Sequence, residues 1–208
     1  MSRTSPTLIA IAGGSGSGKS WLAARLAQRL PGPVEVVCMD SFYRDRAQLS
    51  PARRARINFD HPRAVDMEAL RAAVARARDG RAYDVPCYDY TTHSRSGTRR
   101  CRPTEWIIFE GLWMLRDRKL RPLFELRIFV DAAAKWRLER RLERDVGERG
   151  RTRASIIRQF RDQVEPMHER YVQNQGRHAD VVLTAPIGEP AMAAVLTRLL
   201  AGKEKAGR

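Results

Sequence analysis

Short apolar runs alternate with stretches of helical periodicity along the 208-residue chain. Residues 7–12 (Thr-Leu-Ile-Ala-Ile-Ala) read as a buried strand, and the four-residue spacing of Leu22, Leu26 and Leu30 predicts a helix over 19–30. Pro31-Gly32-Pro33 stops that helix, because proline removes a backbone donor. A second strand is predicted at 34–39, beside the first, and a helix at 66–78, with Asp66 as N-cap and Gly80 as its stop. Residues 106–109 and 126–130 read as buried strands. Amphipathic helices are expected at 132–146 and 153–164, the latter breaking before Pro166. A short strand at 181–183 and a helix at 190–200 complete the pattern, and the tail from Gly202 is expected to fray. Such alternation predicts an α/β fold with a mainly parallel sheet flanked by helices, in a single domain over 1–208.

One segment breaks the rhythm. Residues 83–102 hold Pro86, Gly97 and few aliphatic side chains but several aromatic or imidazole ones, and read as a hairpin or long loop laid over the sheet. Loops of that length in compact domains are usually functional. No apolar run approaches a membrane span, and the polar start has no leader-like pattern, so a cytoplasmic location without membrane association is expected. Cys38, Cys87 and Cys101 form no paired metal-ligand spacing and read as reduced thiols, with Cys38 as core. The net charge is +15, and all but five of the 39 basic residues are arginine. A balance of that sign suits anionic ligands or nucleic acid, or an arginine-rich solvated surface.

Gly13-Gly14-Ser15-Gly16-Ser17-Gly18-Lys19-Ser20 fits the phosphate-binding pattern G-x-x-x-x-G-K-[ST] between a strand and a helix. The glycines let backbone N–H groups turn toward a β-phosphate, and the helix N-terminus adds partial positive charge. Lys19 is expected on the β- and γ-phosphates and Ser20 on Mg²⁺. No dinucleotide-binding glycine register fits. Two acids, Asp40 and Glu110, stand at strand carboxyl ends, where ligands bind in such folds. One can take the acceptor hydroxyl's proton while the other holds Mg²⁺; each reads equally as a loop or cap acid on residues alone. A GTPase switch lacks its N-K-x-D motif here. Arg137, Arg141 and Arg144 recur at helical spacing and share one predicted face, either solvated charge or a phosphate clamp. Like charge concentrated at Arg141, Arg144, Arg149 and Arg151 predicts a segment that only bound phosphate would order.

From Asp40-Ser41-Phe42-Tyr43-Arg44 onward the chain resembles the uridine kinase (uridine–cytidine kinase) family, grouped with phosphoribulokinases among P-loop kinases. Phe59-Asp60-His61-Pro62, the run Pro86-Cys87-Tyr88-Asp89-Tyr90-Thr91-Thr92-His93-Ser94-Arg95, Phe109-Glu110-Gly111 and the arginine-rich stretch 140–151 follow its motifs in order. So do Gln159-Phe160, Pro166-Met167-His168 and Ala179-Asp180-Val181-Val182, over residues 7–186 in all. The resemblance implies transfer of the γ-phosphate of ATP or GTP to the 5′-hydroxyl of uridine or cytidine, with Mg²⁺, and common assembly as homo-oligomers. It implies Asp40 as catalytic base, Glu110 as magnesium acid, and Asp60 on the ribose hydroxyls. Tyr88 and His93 would read the pyrimidine edge between Phe59 and Tyr90, and Arg141, Arg151 and Gln159 would lie on the acceptor side. Arg144 and Arg149 would reach the transferring phosphate from a helical lid at 137–152. Departures are Trp21 after Ser20, expected to tuck against the sheet as core, Tyr90 in place of Phe, and Arg63 in place of an acid. They leave open a kinase for another riboside, a sugar phosphate or a pantothenate-like acceptor. From a different class, a nucleotide-binding protein associated with nucleic acid is the alternative, which a nucleoside kinase reading disfavours.

Overall fold

A computed structural model describes residues 5–54, 56–148 and 150–206. In chain order the strands are β1 (Thr7–Gly13), β2 (Val34–Cys38), β3 (Tyr83–Asp89), β4 (Ser94–Cys101), β5 (Trp106–Gly111), β6 (Leu126–Asp131) and β7 (Val181–Thr184). The helices are α1 (Lys19–Arg29), α2 (Pro51–Arg54), α3 (Met67–Arg78), α4 (Ala134–Gly147), α5 (Arg153–Gln159), α6 (Glu165–Met167) and α7 (Glu189–Ala206). Five strands form a parallel sheet in the order β2-β5-β1-β6-β7, and β3 pairs antiparallel with β4 as a separate hairpin.

The sheet is buried on both faces, as its near-continuous apolar strands require. On one side Ile9, Ile11 and Ile108 pack against Leu22 and Leu26 of α1 and Met192, Val195 and Leu199 of α7. On the other, Leu8, Ala10, Ile107 and Phe109 pack against Leu70 and Val74 of α3, Tyr83 of the hairpin and Trp113. The alternation of β1 residues between the two cores is the period of two of an extended chain.

Three expectations are corrected. The second strand does not lie beside the first: β5 inserts between them, with Thr7 opposite Trp106 and Val34 opposite Trp106 from the other edge. The chain does not break before Pro166 but stays helical from 153 to 178, with wide π-type turns at Phe160–Val164 and His168–Val172 on either side of α6. Those wide turns shift the hydrogen-bond pattern past the donor that proline lacks. The tail does not fray at Gly202, because α7 continues to Ala206 and Lys203 pairs with Glu105 over the ring of Trp106. Asp66 does cap α3, accepting from the Ala69 N–H at 3.1 Å.

Candidate active site

The loop between β1 and α1 has the conformation its glycines allow. Gly16 and Gly18 take φ of 81° and 101°, a left-handed region that side chains resist. Gly14 and Gly16 are also tightly covered: a Cβ on Gly14 would meet His168 Nδ1 at 2.7 Å, and one on Gly16 would collide with the Arg137 carbonyl. Lys19 folds its ammonium back to the Gly14 carbonyl at 3.1 Å. Ser15, Gly16, Gly18, Lys19 and Ser20 open onto a cleft of about 1030 Å³, while Gly13, Gly14 and Ser17 are buried behind it.

The inserted β5 decides what faces this loop. Its register sets Cys38 opposite Glu110, so the carboxyl ends of β2 and β5 are neighbours. Ser20 Oγ donates to Glu110 Oε1 at 2.9 Å. Asp40, in the tight turn Met39–Phe42 after β2, is half-buried and lines the cleft. Burial, then the negative Glu110, pushes its pKa up to about 6, while Lys19 and a hydrogen bond from Tyr43 oppose the rise. A serine hydroxyl and two mutually repelling carboxylates suit a hard divalent cation that also takes phosphate and water oxygens. Among the described residues no group of three or more His, Cys, Asp or Glu side chains is arranged to hold a metal ion, so a cage made wholly of protein ligands is not formed by them. Cys38, expected in the core, instead borders the cleft; burial and the two acids push its thiol up, so it stays protonated.

Across the cleft lies an aromatic box. Phe59 stacks on His93 at 4.4 Å between centroids, and Tyr43 meets Phe59 and Tyr88 edge-on or tilted at 5.2 and 5.5 Å. Tyr88 Oη and His93 Nδ1 are 3.4 Å apart. Tyr90 packs on Tyr88 at 5.3 Å but is 49% exposed, at the rim. Tyr88 and Tyr90 face one pocket because β3 ends at Asp89, whose carboxylate accepts from the Thr91 N–H and Thr92 hydroxyl and turns the chain. His93 closes that turn with φ of 53°. Burial and Arg54 lower its pKa, so the ring is neutral near pH 7. Arg95 ties the hairpin to the Asp40 turn, donating to the carbonyls of Tyr43 at 2.9 Å and Phe42 at 3.0 Å.

The arginines form the third wall. Arg141 is buried and donates to Ser15 Oγ at 2.8 Å and Gln159 Oε1 at 2.9 Å; Arg151 donates to the same Gln159 oxygen at 2.7 Å. Asp145, fully buried, collects Arg144 at 2.8 Å, Arg141 at 3.4 Å and Arg151 at 3.6 Å. Like charge is thus compensated in part inside the chain by Asp145, a buried anion that an argument from repulsion among the arginines leaves out. Asp60 is buried beside this group; burial raises its pKa, and the charges of Arg141, Lys19 and Arg144 counter the rise. Arg137 does not share the cleft face. It is buried beneath the loop, bonded to Glu165 at 2.6 Å and lying over Phe160 at 5.5 Å. Arg149 lies outside the described residues.

Two residues escaped the sequence reading. Asp145 was visible as an acid four positions after Arg141, a spacing that pairs charges on a helix. Tyr43 gave no signal beyond its place near Asp40. Trp21, expected in the core, is 39% exposed at the cleft, because Leu22, Ala23 and Leu26 take the buried face of α1.

The model of the phosphoribulokinase/uridine kinase family matches residues 8–187. This chain belongs to that family. It is 38% identical over 180 residues to a uridine kinase of Brevibacillus brevis, spanning 86% of this chain and 84% of the relative. It is 39% identical over 179 residues to one of Staphylococcus haemolyticus, spanning 85% and 86%. The fold is similar to that of phosphoribulokinase from Rhodobacter spheroides, with a TM-score of 0.64 at 14% identity over 87% of this chain and 70% of that one. The resemblance read from the motifs, the α/β P-loop fold and an ATP-dependent phosphotransferase acting on an alcohol acceptor all stand. No described helix is long and apolar enough to cross a membrane.

Proposed function

We propose that this chain transfers the γ-phosphate of ATP or GTP to the 5′-hydroxyl of uridine or cytidine, acting in the cytoplasm. The observation that carries this reading is the Tyr88–His93 pair inside an aromatic box, opening onto the same cleft as Lys19 and Asp40. A pyrimidine is a flat ring with polar edges. Phe59 and Tyr90 supply the apolar walls, and Tyr88 and neutral His93 supply polar atoms for its edge. The relatives named uridine kinase point to the same acceptor class.

Asp60, buried beside the arginine wall, would take the ribose hydroxyls. Asp40 orients the 5′-hydroxyl and accepts its proton, and in a loose phosphoryl transfer that orientation matters as much as basicity. Lys19 and Arg144 face the β- and γ-phosphates. Arg149 belongs to the same stretch by sequence. Arg141, Arg151 and Gln159 hold the acceptor side of the cleft. Ser20, Glu110 and Asp40 are the side chains that would hold Mg²⁺, which when bound neutralises charge on the β- and γ-phosphates.

A coupled ADP-release assay across uridine, cytidine, purine nucleosides, pantothenate and sugar phosphates tests the reading. Uridine or cytidine should give the highest kcat/KM. His93→Ala should lower that value and flatten the pyrimidine preference together, because an unpaired buried polar group penalises the wrong ligand. A purine nucleoside or a sugar phosphate outcompeting uridine in the wild type would overturn it.

A further inference from the structure

Trp21 is the large aromatic group of the cleft that the proposed reaction leaves without a role. It follows Ser20 directly, on the first turn of α1. The helix buries Leu22, Ala23 and Leu26 completely, yet leaves 39% of Trp21 exposed, and the indole borders the same cleft as Gly16, Gly18 and Lys19. One helical turn on, Arg25 sets its guanidinium over the indole ring, 5.7 Å from its centre, and is itself bonded to Gln28 at 3.4 Å. An indole supported in this way is restrained where it meets the cleft.

The cleft is directional. Asp40, Tyr88 and His93 mark the acceptor end, so the γ-phosphate must point that way. The loop backbone cradles the α- and β-phosphates. The ribose and base of the donor therefore leave from the opposite end of the triphosphate. Trp21 takes no part in the ring contacts that join Tyr43, Phe59, Tyr88, Tyr90 and His93 among the described residues. It belongs to the loop side of the cleft, not to the acceptor box. The chain also lacks the N-K-x-D motif by which a carboxylate reads guanine.

We propose that Trp21 is the stacking platform for the purine base of the phosphate donor, so that the donor base is held by its π-face and ATP and GTP are bound alike. The proposal rests on the triphosphate occupying the loop as in the proposed function, and it does not depend on which acceptor is used. Stacking on an aromatic ring tolerates any base of sufficient area, because every base has a π-face.

Calorimetric titration of the full chain with Mg-ATP, Mg-GTP and Mg-tripolyphosphate decides it, in the wild type, Trp21→Ala and Trp21→Phe, each checked by thermal melting. Trp21→Ala should weaken ATP and GTP equally, on the order of tenfold, as loss of one base–aromatic stack does. Tripolyphosphate, which has no base, should bind all three proteins alike, and Trp21→Phe should keep most of the nucleotide affinity. Unchanged ATP affinity in Trp21→Ala would overturn the proposal. So would an equal loss for ATP and tripolyphosphate, which would mean a damaged loop, or a wild-type preference between ATP and GTP that survives the substitution. Wild type that binds neither nucleotide nor tripolyphosphate would remove the phosphate-loop reading and the platform with it. The expected titrations in an enzyme inactive on every pyrimidine nucleoside would leave the platform standing and remove only the acceptor.

Discussion

Asp40, the proposed base, carries a cost in stability. With its pKa pushed up to about 6 by burial and Glu110, it is protonated in mildly acid solution and ionised at neutral pH. A base must be ionised, so kcat/KM, which reports the free enzyme, should fall as pH drops through about 6. Asp40→Asn should cut kcat by at least about 10²-fold with nucleoside affinity little changed; a tenfold affinity loss with kcat preserved would assign Asp40 to binding. The stability consequence has the opposite sign. A carboxyl whose folded pKa lies above its unfolded value adds stability that is full below about 3.8 and lost as pH rises through about 6. At pH 7.5 the ligand-free enzyme therefore carries a penalty of about 2 kcal/mol, discounting for water in the cleft. Asp40→Asn should melt higher than wild type at pH 7.5 and no higher at pH 4, as differential scanning would show. The strand-end position of Asp40 was legible in the sequence. Its perturbation was not, since that depends on burial in the folded cleft and on Glu110, 70 positions away and brought alongside only by pairing of β2 with β5.

Among the elements, α4 and the helical run after it show what periodicity reveals and where it stops. The spacing of Arg137, Arg141 and Arg144 placed them on one helix, but a four-residue period cannot say which of them faces solvent, cleft or core. Arg137 went under the phosphate loop because Glu165 and the Phe160 ring receive it there. Asp145 fixes the rest. Asp145→Asn keeps the shape but leaves three guanidinium groups competing without their buried anion, a change worth about 3 kcal/mol or more. For a domain of this size that corresponds to a fall in Tm of roughly 6–12 °C. The variant should also raise KM for both triphosphate and nucleoside, since Asp145 holds Arg144 on the phosphate side and Arg141 and Arg151 on the acceptor side of the proposed site; an unchanged Tm would show the arginines to be held by other partners. Pro166 misled the sequence reading because a proline rule presumes α-type bonding, and the turns around it are wider.

For the molecule as a whole, the sheet order was the least legible feature. Strand positions follow from local runs, whereas the insertion of β5 between β1 and β2 is a property of long-range pairing that no window of sequence contains. The charge was legible in amount and not in allocation. Pairs such as Arg29–Glu189, Arg71–Asp117 and Arg127–Asp180 stitch elements together on the outside, while the cleft is lined by Lys19, Arg54, Arg140, Arg141, Arg144 and Arg151 against Asp40, Asp60, Glu110 and Glu148, an excess of positive charge. A positive cleft attracts its anionic ligand through a field that salt screens. Raising the salt from about 50 to 500 mM should increase KM for ATP several-fold and leave that for the uncharged nucleoside nearly unchanged. Equal effects on both would place the excess charge elsewhere on the surface.

The two hydrogen bonds from Arg95 to the carbonyls of Phe42 and Tyr43 make the hairpin and the Asp40 turn a single mechanical unit, which the bond from the Arg46 N–H to the His93 carbonyl at 3.0 Å reinforces. Water is always at hand as a rival nucleophile for the γ-phosphate. In the proposed reaction Asp40 shares its mounting with the wall of the nucleoside box, so a nucleoside seated there would also bear on the proton acceptor, and futile hydrolysis is expected to be discouraged until the true acceptor arrives. Arg95→Ala cuts that linkage without touching either substrate pocket's polar groups. Its signature is a poorer coupling ratio: more inorganic phosphate released per nucleotide product formed, measured side by side in one reaction.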